Sequence, residues 1–163
     1  MPLTVTPRHP ALGAEVRGID MRKPMDPTTV RAVRDAWTRH LVLIFPDQPI
    51  TDQEHVAFTR QFGEPEIFHQ TSLHLRSDDV KEIFLVSNVD ARNRIVMPSD
   101  PGQKQLNSSR QWHTDSSYKT LPSIGSLLHG IEISRTGGIT QFINMYMVYD
   151  ELPGTLRRLV EGR

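Results

Sequence analysis

The chain has 163 residues, with 19 basic and 19 acidic side chains and no cysteine. This length allows one domain with a hydrophobic core, and the balanced charge gives no general attraction to nucleic acid or membrane surfaces. The lack of cysteine excludes disulfides and thiolate metal sites, so any metal must be held by nitrogen and oxygen ligands. No apolar run is long enough to cross a bilayer, and we expect a cytoplasmic protein.

The first fifty residues predict two short strands, a helix and a third strand. The two strands cover residues 3–6 and 14–19 and are separated by proline and glycine. Asp26 as N-cap and Pro27 at the first helical position predict a helix that runs to about His40. Trp37 falls on the apolar stripe of this helix, so we expect it in the core. The apolar run of residues 41–45 predicts a buried strand.

The middle and end of the chain predict one more helix, several strands and a final helical stretch. Thr51 and Glu54 have the spacing of a capping box, which predicts a helix that stops at Gly63. The polar stretch 92–110 predicts a long loop, which is often a functional lid. We expect strands at residues 83–86, around 113–115, 124–133 and 139–143, and helical structure interrupted near Pro153. Helices thus cluster early and strands late, which favours an α+β, mainly β fold: a sandwich or jelly roll with flanking helices.

His113 and Asp115 are the residues that point most directly to chemistry. On a strand, side chains two residues apart share a face, so the two could close on one ion from the same side. A facial triad of two histidines and one carboxylate holds non-heme Fe(II) with open positions. The pattern alone favours a simpler interpretation, a histidine hydrogen-bonded to a neighbouring carboxylate. The preceding polar loop and the adjacent Trp112 favour a metal site.

Several motifs, in order along the whole chain, resemble the taurine dioxygenase and 2,4-dichlorophenoxyacetate dioxygenase family. The motif around the metal pair, Trp112-His113-Thr114-Asp115-Ser116-Ser117-Tyr118, tilts the resemblance toward the phenoxyacetate branch. Further matches are residues 14–20, 43–50, 58–63, 87–89, 137–142 and 149–153. The resemblance implies an Fe(II)- and 2-oxoglutarate-dependent dioxygenase with a double-stranded β-helix fold.

The same resemblance implies roles for individual residues. His113 and Asp115 match the first two iron ligands, and Thr140 matches the threonine that binds a 2-oxoglutarate carboxylate. Ile139 stands where the family usually has aspartate, and without the family Thr140 would be an ordinary strand threonine. For substrate binding, His69 is the better candidate for an anion contact. Phe68 could take the aligned place instead, and a plain loop histidine is an equal alternative.

Other polar residues near these motifs carry weaker expectations. Ser109 lies near a substrate-contacting position of the taurine branch, too loosely to assign. Three arginines could meet an anionic substrate, although solvated loop charge is the favoured interpretation: Arg92, Arg94 and Arg110.

The resemblance also implies two functional residues that these 163 positions do not supply. The family takes its third iron ligand, a histidine, and its 2-oxoglutarate arginine from downstream strands. His129 stands where the family has an ordinary strand residue, so we do not assign it as a ligand. We therefore expect residues 1–163 to be a single incomplete domain that lacks its C-terminal strands.

Two hypotheses about function remain open at this point. In the first, the intact protein hydroxylates a small, anionic organic substrate with O2 and releases succinate and CO2. In the second, the chain is a truncated, catalytically inactive homologue that binds metal weakly or associates with another chain. We expect no nucleic-acid or membrane partner, and a homo-oligomer is possible.

Overall fold

The computed structural model describes residues 2–67, 80–89, 94–97 and 111–162. The chain divides into two compact units, one of Met1–Pro49 with Gly130–Arg163 and one of Ile50–His129. The first unit holds strands β1 (Thr4–Pro7), β2 (Ala14–Arg17) and β3 (Leu43–Ile44), and helices α1 (Pro27–His40), α3 (Met145–Asp150) and α4 (Gly154–Val160). The second unit holds helix α2 (Asp52–Arg60). No helix among the described residues is long and apolar enough to cross a membrane.

The three strands form one small sheet in the order β1-β2-β3. β1 pairs with β2 antiparallel, and β2 pairs with β3 parallel. The inward-facing side chains of the central strand, Ala14 and Val16, are fully buried, as the two-residue period of a strand requires. The turn after β2 needs glycine, because Gly18 has a φ of +87° and a Cβ there would lie 2.2 Å from the Pro2 carbonyl oxygen.

Helix α1 begins as its sequence predicts. The Asp26 side chain accepts hydrogen bonds from the backbone N–H groups of Thr28 and Thr29, and Pro27 occupies the first turn. The hydrogen bond from the Thr29 hydroxyl, followed by these backbone bonds, lowers the pKa of the Asp26 carboxyl. The helix buries Val33 and Ala36, whereas Trp37, expected in the core, is only half-buried.

Helix α2 carries the predicted capping box. Thr51 accepts a hydrogen bond from the Glu54 backbone N–H, and the Glu54 carboxylate accepts one from the Thr51 backbone N–H. The helix buries Val56 and Phe58. The Phe58 ring packs against that of Phe62, with 5.2 Å between ring centroids. Local sequence chemistry therefore predicted the start of both long helices correctly.

Most of the predicted strands do not form in the described residues. The run at 41–45 yields only two strand residues, and Ile44 is 47% exposed, so the prediction of a buried strand there is wrong. Residues 83–86 form no named strand, and residues 111–143 contain no strand. A strand is stable only when its backbone N–H and C=O groups bond to a partner strand. No partner strand pairs with residues 111–143 within the described part of the chain.

The apolar side chains are distributed unevenly along the chain. Every buried core residue among those described lies between Ala14 and Val80. Residues 111–162 instead expose large apolar side chains, including Tyr118 (84% exposed), Leu121 (87%) and Ile139 (82%). The predicted helical stretch near the end does form, as α3 and α4 on either side of Pro153, but neither helix buries a residue. The described residues thus show a mixed α/β architecture with one small sheet, and they do not by themselves show the double-stranded β-helix.

Candidate metal centre

His113 and Asp115 are in contact, as their spacing predicts. His113 Nε2 lies 3.2 Å from Asp115 Oδ1, and the two side chains are 48% and 60% exposed. An ion pair this exposed contributes only about 0–1 kcal/mol to stability. The pair presents one nitrogen and one oxygen donor to solvent.

The backbone that brings the pair together is a turn, which corrects the prediction of a strand. Asp115 opens a turn that continues to Tyr118. Ser116 has a φ of +54°, in the left-handed region that strands do not use. The Lys119 N–H donates to the Ser116 carbonyl at 3.0 Å and closes the turn. Turn geometry therefore replaces the alternation of a strand as the reason why the two side chains meet.

The His113 ring is oriented by a backbone carbonyl. Its Nδ1 lies 2.8 Å from the Gln111 carbonyl oxygen. A carbonyl oxygen only accepts hydrogen bonds, so Nδ1 carries the hydrogen and Nε2 of the neutral ring holds a lone pair. That lone pair faces a carboxylate oxygen. Nε2 and Oδ1 thus lie side by side as potential ligands of one cation.

The second oxygen of Asp115 has a partner that the sequence did not reveal. The Ser126 hydroxyl donates to Asp115 Oδ2 at 2.8 Å. The two carboxylate oxygens thus have different surroundings, one facing a hydroxyl and the other facing His113. Ser126 lies eleven residues from its partner and belongs to no motif, so no local pattern could have identified it.

Glu66 anchors the segment that follows the pair. It accepts hydrogen bonds from Ser116 (2.9 Å) and Ser123 (3.0 Å) and forms an ion pair with Lys119. The hydrogen bond from Lys119 is the main reason why the pKa of the Glu66 carboxyl lies below its ordinary value, with smaller contributions from the two serines. One carboxylate therefore fixes residues 116–123 at three points.

The described residues bring together only two potential metal ligands at this place. Among residues 2–67, 80–89, 94–97 and 111–162, no group of three or more His, Cys, Asp and Glu side chains could hold a metal ion. His129 packs edge-on against the His55 ring, with 5.9 Å between centroids. Burial, and then the proximity of His129, lower the pKa of His55, while Asp52 acts in the opposite direction.

The expected roles of the other predicted site residues stay predictions. Thr140 is exposed and lies outside any helix or strand, so its expected role stays a prediction. His69 and its alternative Phe68 lie outside the described residues, as does most of the predicted loop at 92–110, including Ser109, Arg92 and Arg110. Arg94 is described and exposed.

Comparison with known proteins gives a consistent family match. The model of the family described as "Taurine catabolism dioxygenase TauD, TfdA family" matches residues 4–163. The alpha-ketoglutarate-dependent (2-oxoglutarate-dependent) 2,4-dichlorophenoxyacetate dioxygenase of Cupriavidus pinatubonensis is 30% identical over 99% of this chain and 57% of its own length. The alpha-ketoglutarate-dependent sulfate ester dioxygenase of Pseudomonas putida is 32% identical over 98% of this chain and 47% of its own length. The chain thus spans about half the length of these relatives.

Solved structures agree with the sequence comparison. A taurine dioxygenase from Burkholderia xenovorans superposes with a TM-score of 0.77 at 32% identity, over 98% of this chain and 51% of that protein. AAD-2, solved with Mn(II) and N-oxalylglycine, gives a TM-score of 0.61 at 27% identity, over 75% of this chain and 39% of its own. The chain therefore shares its fold with these dioxygenases over the residues that superpose.

Proposed function

We propose, because this chain belongs to the TauD/TfdA dioxygenase family, that it supplies two ligands of the Fe(II) site of a 2-oxoglutarate-dependent dioxygenase. The observation that carries the proposal is the approach of His113 Nε2 to Asp115 Oδ1 at 3.2 Å. The Gln111 carbonyl accepts a hydrogen bond from Nδ1 of the His113 ring, so Nε2 is the nitrogen available to bind a metal. The expected metal-ligand roles of both residues, inferred first from the sequence, are therefore retained as part of the proposal.

The donor atoms fit the proposed metal in type. Imidazole nitrogen and carboxylate oxygen are ligands of non-heme Fe(II) in a facial triad. His113 Nε2 and Asp115 Oδ1, 3.2 Å apart, would be the two atoms that hold the metal. The chain can thus present both donors to one ion.

The proposed reaction joins oxidation of the cosubstrate to hydroxylation of the substrate. With Fe(II) bound, the site supplies O2 activation: 2-oxoglutarate, O2 and a substrate C–H give succinate, CO2 and a C–OH. The chain's own residues hold the metal and orient the cosubstrate, with Thr140 as the expected partner of one 2-oxoglutarate carboxylate. We propose that the third iron ligand and the 2-oxoglutarate arginine come from a segment equivalent to the other half of the relatives.

The proposed substrate is a small organic anion. The named substrates of two relatives are a phenoxyacetate and a sulfate ester, both anionic. His69 remains our candidate for the anion contact, with Phe68 as the alternative at that position. A cytoplasmic location and a homo-oligomer remain predictions from the sequence.

A second candidate function has its own supporting observation. Residues 111–162 contribute no buried core residue among those described and expose many large apolar side chains. A segment of this composition needs a covering surface to be stable in water. The 163 residues by themselves are therefore expected to bind metal weakly and to perform no turnover, or to associate with another chain.

Anaerobic titration distinguishes the two candidates. The complete polypeptide that carries these residues should show a metal-to-ligand charge-transfer band when Fe(II) and 2-oxoglutarate are both present. His113→Ala should abolish that band, whereas His9→Ala, at an exposed histidine of the other unit, should leave it intact. Full turnover by His113→Ala would refute the assignment. Robust 2-oxoglutarate-dependent O2 uptake by the 163 residues alone would refute the second candidate.

A further inference from the structure

We propose that Ser126 is a positioning residue that fixes the orientation of the Asp115 carboxylate toward the metal. This inference rests on the proposed function and assigns a role to a residue outside every motif of the chain. Its basis is the 2.8 Å hydrogen bond from the Ser126 hydroxyl to Asp115 Oδ2.

The hydrogen bond gives the two carboxylate oxygens of Asp115 different partners. Oδ2 accepts the hydroxyl hydrogen of Ser126, while Oδ1 points to His113 Nε2 at 3.2 Å. Without the serine, the carboxylate can rotate about its terminal bond, because such torsions are broad and roughly two-fold. Ser126 thus keeps one oxygen for the metal and favours binding through that oxygen alone. Hydrogen bonds that orient ligating carboxylates in this way tune metal affinity.

The segment between the two residues is itself anchored, so Ser126 is presented from a fixed backbone. Glu66 holds Ser116, Lys119 and Ser123, which all lie between Asp115 and Ser126. Ser126, which donates to Asp115, lies three residues after Ser123, the last residue that Glu66 contacts. The Glu66 contacts fix the backbone of residues 116–123, and the hydrogen bond from Ser126 then fixes the orientation of the Asp115 carboxylate.

The chain provides a matched control for this inference. Ser123 and Ser126 are both exposed serines of the same segment, but Ser123 donates to Glu66 and Ser126 donates to Asp115. Removing either hydroxyl deletes one hydrogen bond to a carboxylate. Only removal of the Ser126 hydroxyl affects a contact of the proposed ligand Asp115. Comparing the two serine variants therefore distinguishes a general loosening of the loop from a specific effect on metal binding.

The test measures Mn(II) affinity of the complete polypeptide by electron paramagnetic resonance of the free ion. Loss of a partner of a ligating group typically costs 10–100-fold in metal affinity, and because this bond is exposed we expect Ser126→Ala to weaken binding about tenfold. Ser123→Ala should change the affinity less than about threefold, by comparison with that range. Ser126→Thr retains the hydroxyl and should restore binding. The charge-transfer band formed with Fe(II) and 2-oxoglutarate should follow the same order.

The outcomes separate this inference from the function on which it rests. If the unaltered protein binds Mn(II) and His113→Ala loses it, while Ser126→Ala equals Ser123→Ala, only the role of Ser126 is overturned. A Ser126→Thr variant as weak as Ser126→Ala also overturns it, because the hydroxyl would then not be the cause. If the unaltered protein binds no Mn(II), the proposed metal site and the inference both fail.

Discussion

Removing the Glu66 carboxylate should loosen the turn that carries Asp115. Glu66 accepts two serine hydrogen bonds and pairs with Lys119, and its side chain is 26% exposed. Because water can partly replace these partners, each serine bond is taken at about 0.5 kcal/mol and the ion pair at about 0.5 kcal/mol, the low end of their ranges. We therefore expect Glu66→Ala to reduce the local stability of residues 116–123 by about 1.5 kcal/mol.

Amide hydrogen exchange measures this loss directly. A change of about 1.4 kcal/mol is a tenfold change in an equilibrium constant, so any protected amides of residues 116–123 should exchange about tenfold faster in Glu66→Ala. Exchange in helix α2 should be nearly unchanged. Glu64→Ala is the matched control, since Glu64 is an exposed carboxylate two residues away. Equal exchange rates in the two variants would refute the anchoring role of Glu66.

The same contacts predict the direction of a pH dependence. The pKa of Glu66 is lowered in the folded protein, chiefly by the hydrogen bond from Lys119. A carboxylate with a lowered folded pKa stabilises the folded state above its unfolded pKa, here near the ordinary value of 4.5, and that stabilisation is lost as the pH falls through the folded pKa. Protection of residues 116–123 should therefore decline below about pH 4.5 in the unaltered protein and less so in Glu66→Gln. Parallel decline in both would contradict the assignment.

Three further outcomes test the fold. Phe58 is 1% exposed, so Phe58→Ala should cost about 3–5 kcal/mol in urea unfolding, and a loss below 1 kcal/mol, far short of that range, would show that it is not core. Gly18→Ala should cost about 1–2 kcal/mol for its φ of +87°, and more because the new Cβ would lie 2.2 Å from the Pro2 carbonyl oxygen. Gly13→Ala, with φ of +94° and open space around a Cβ, should cost only the backbone contribution. Equal losses of stability in the two variants would exclude a steric role for Pro2. The isolated 163 residues should bind a hydrophobic dye and self-associate because of their exposed apolar side chains, and a monomer without dye binding would refute the need for a cover.

Family membership and the local features of the fold could be inferred from the sequence. The starts of α1 and α2 follow from the Asp26-Pro27 pair and the Thr51–Glu54 capping box, because each cap involves backbone groups within three residues. The contact of His113 with Asp115 likewise needs only two residues of separation. Helix caps and contacts between near neighbours can be predicted from the sequence because the residues that form them lie close together along the chain.

Tertiary structure alone decided the strands and the surroundings of the metal pair. The apolar runs at 124–133 and 139–143 have strand character, yet a strand depends on a partner that no local pattern specifies. Glu66 reaches Ser116 across fifty positions, and Ser126 reaches Asp115 across eleven. Such contacts arise only when the folded backbone brings distant residues together, which is why the sequence predicted His113 and Asp115 as candidate ligands but not Ser126 or Glu66, which lie in contact with this segment.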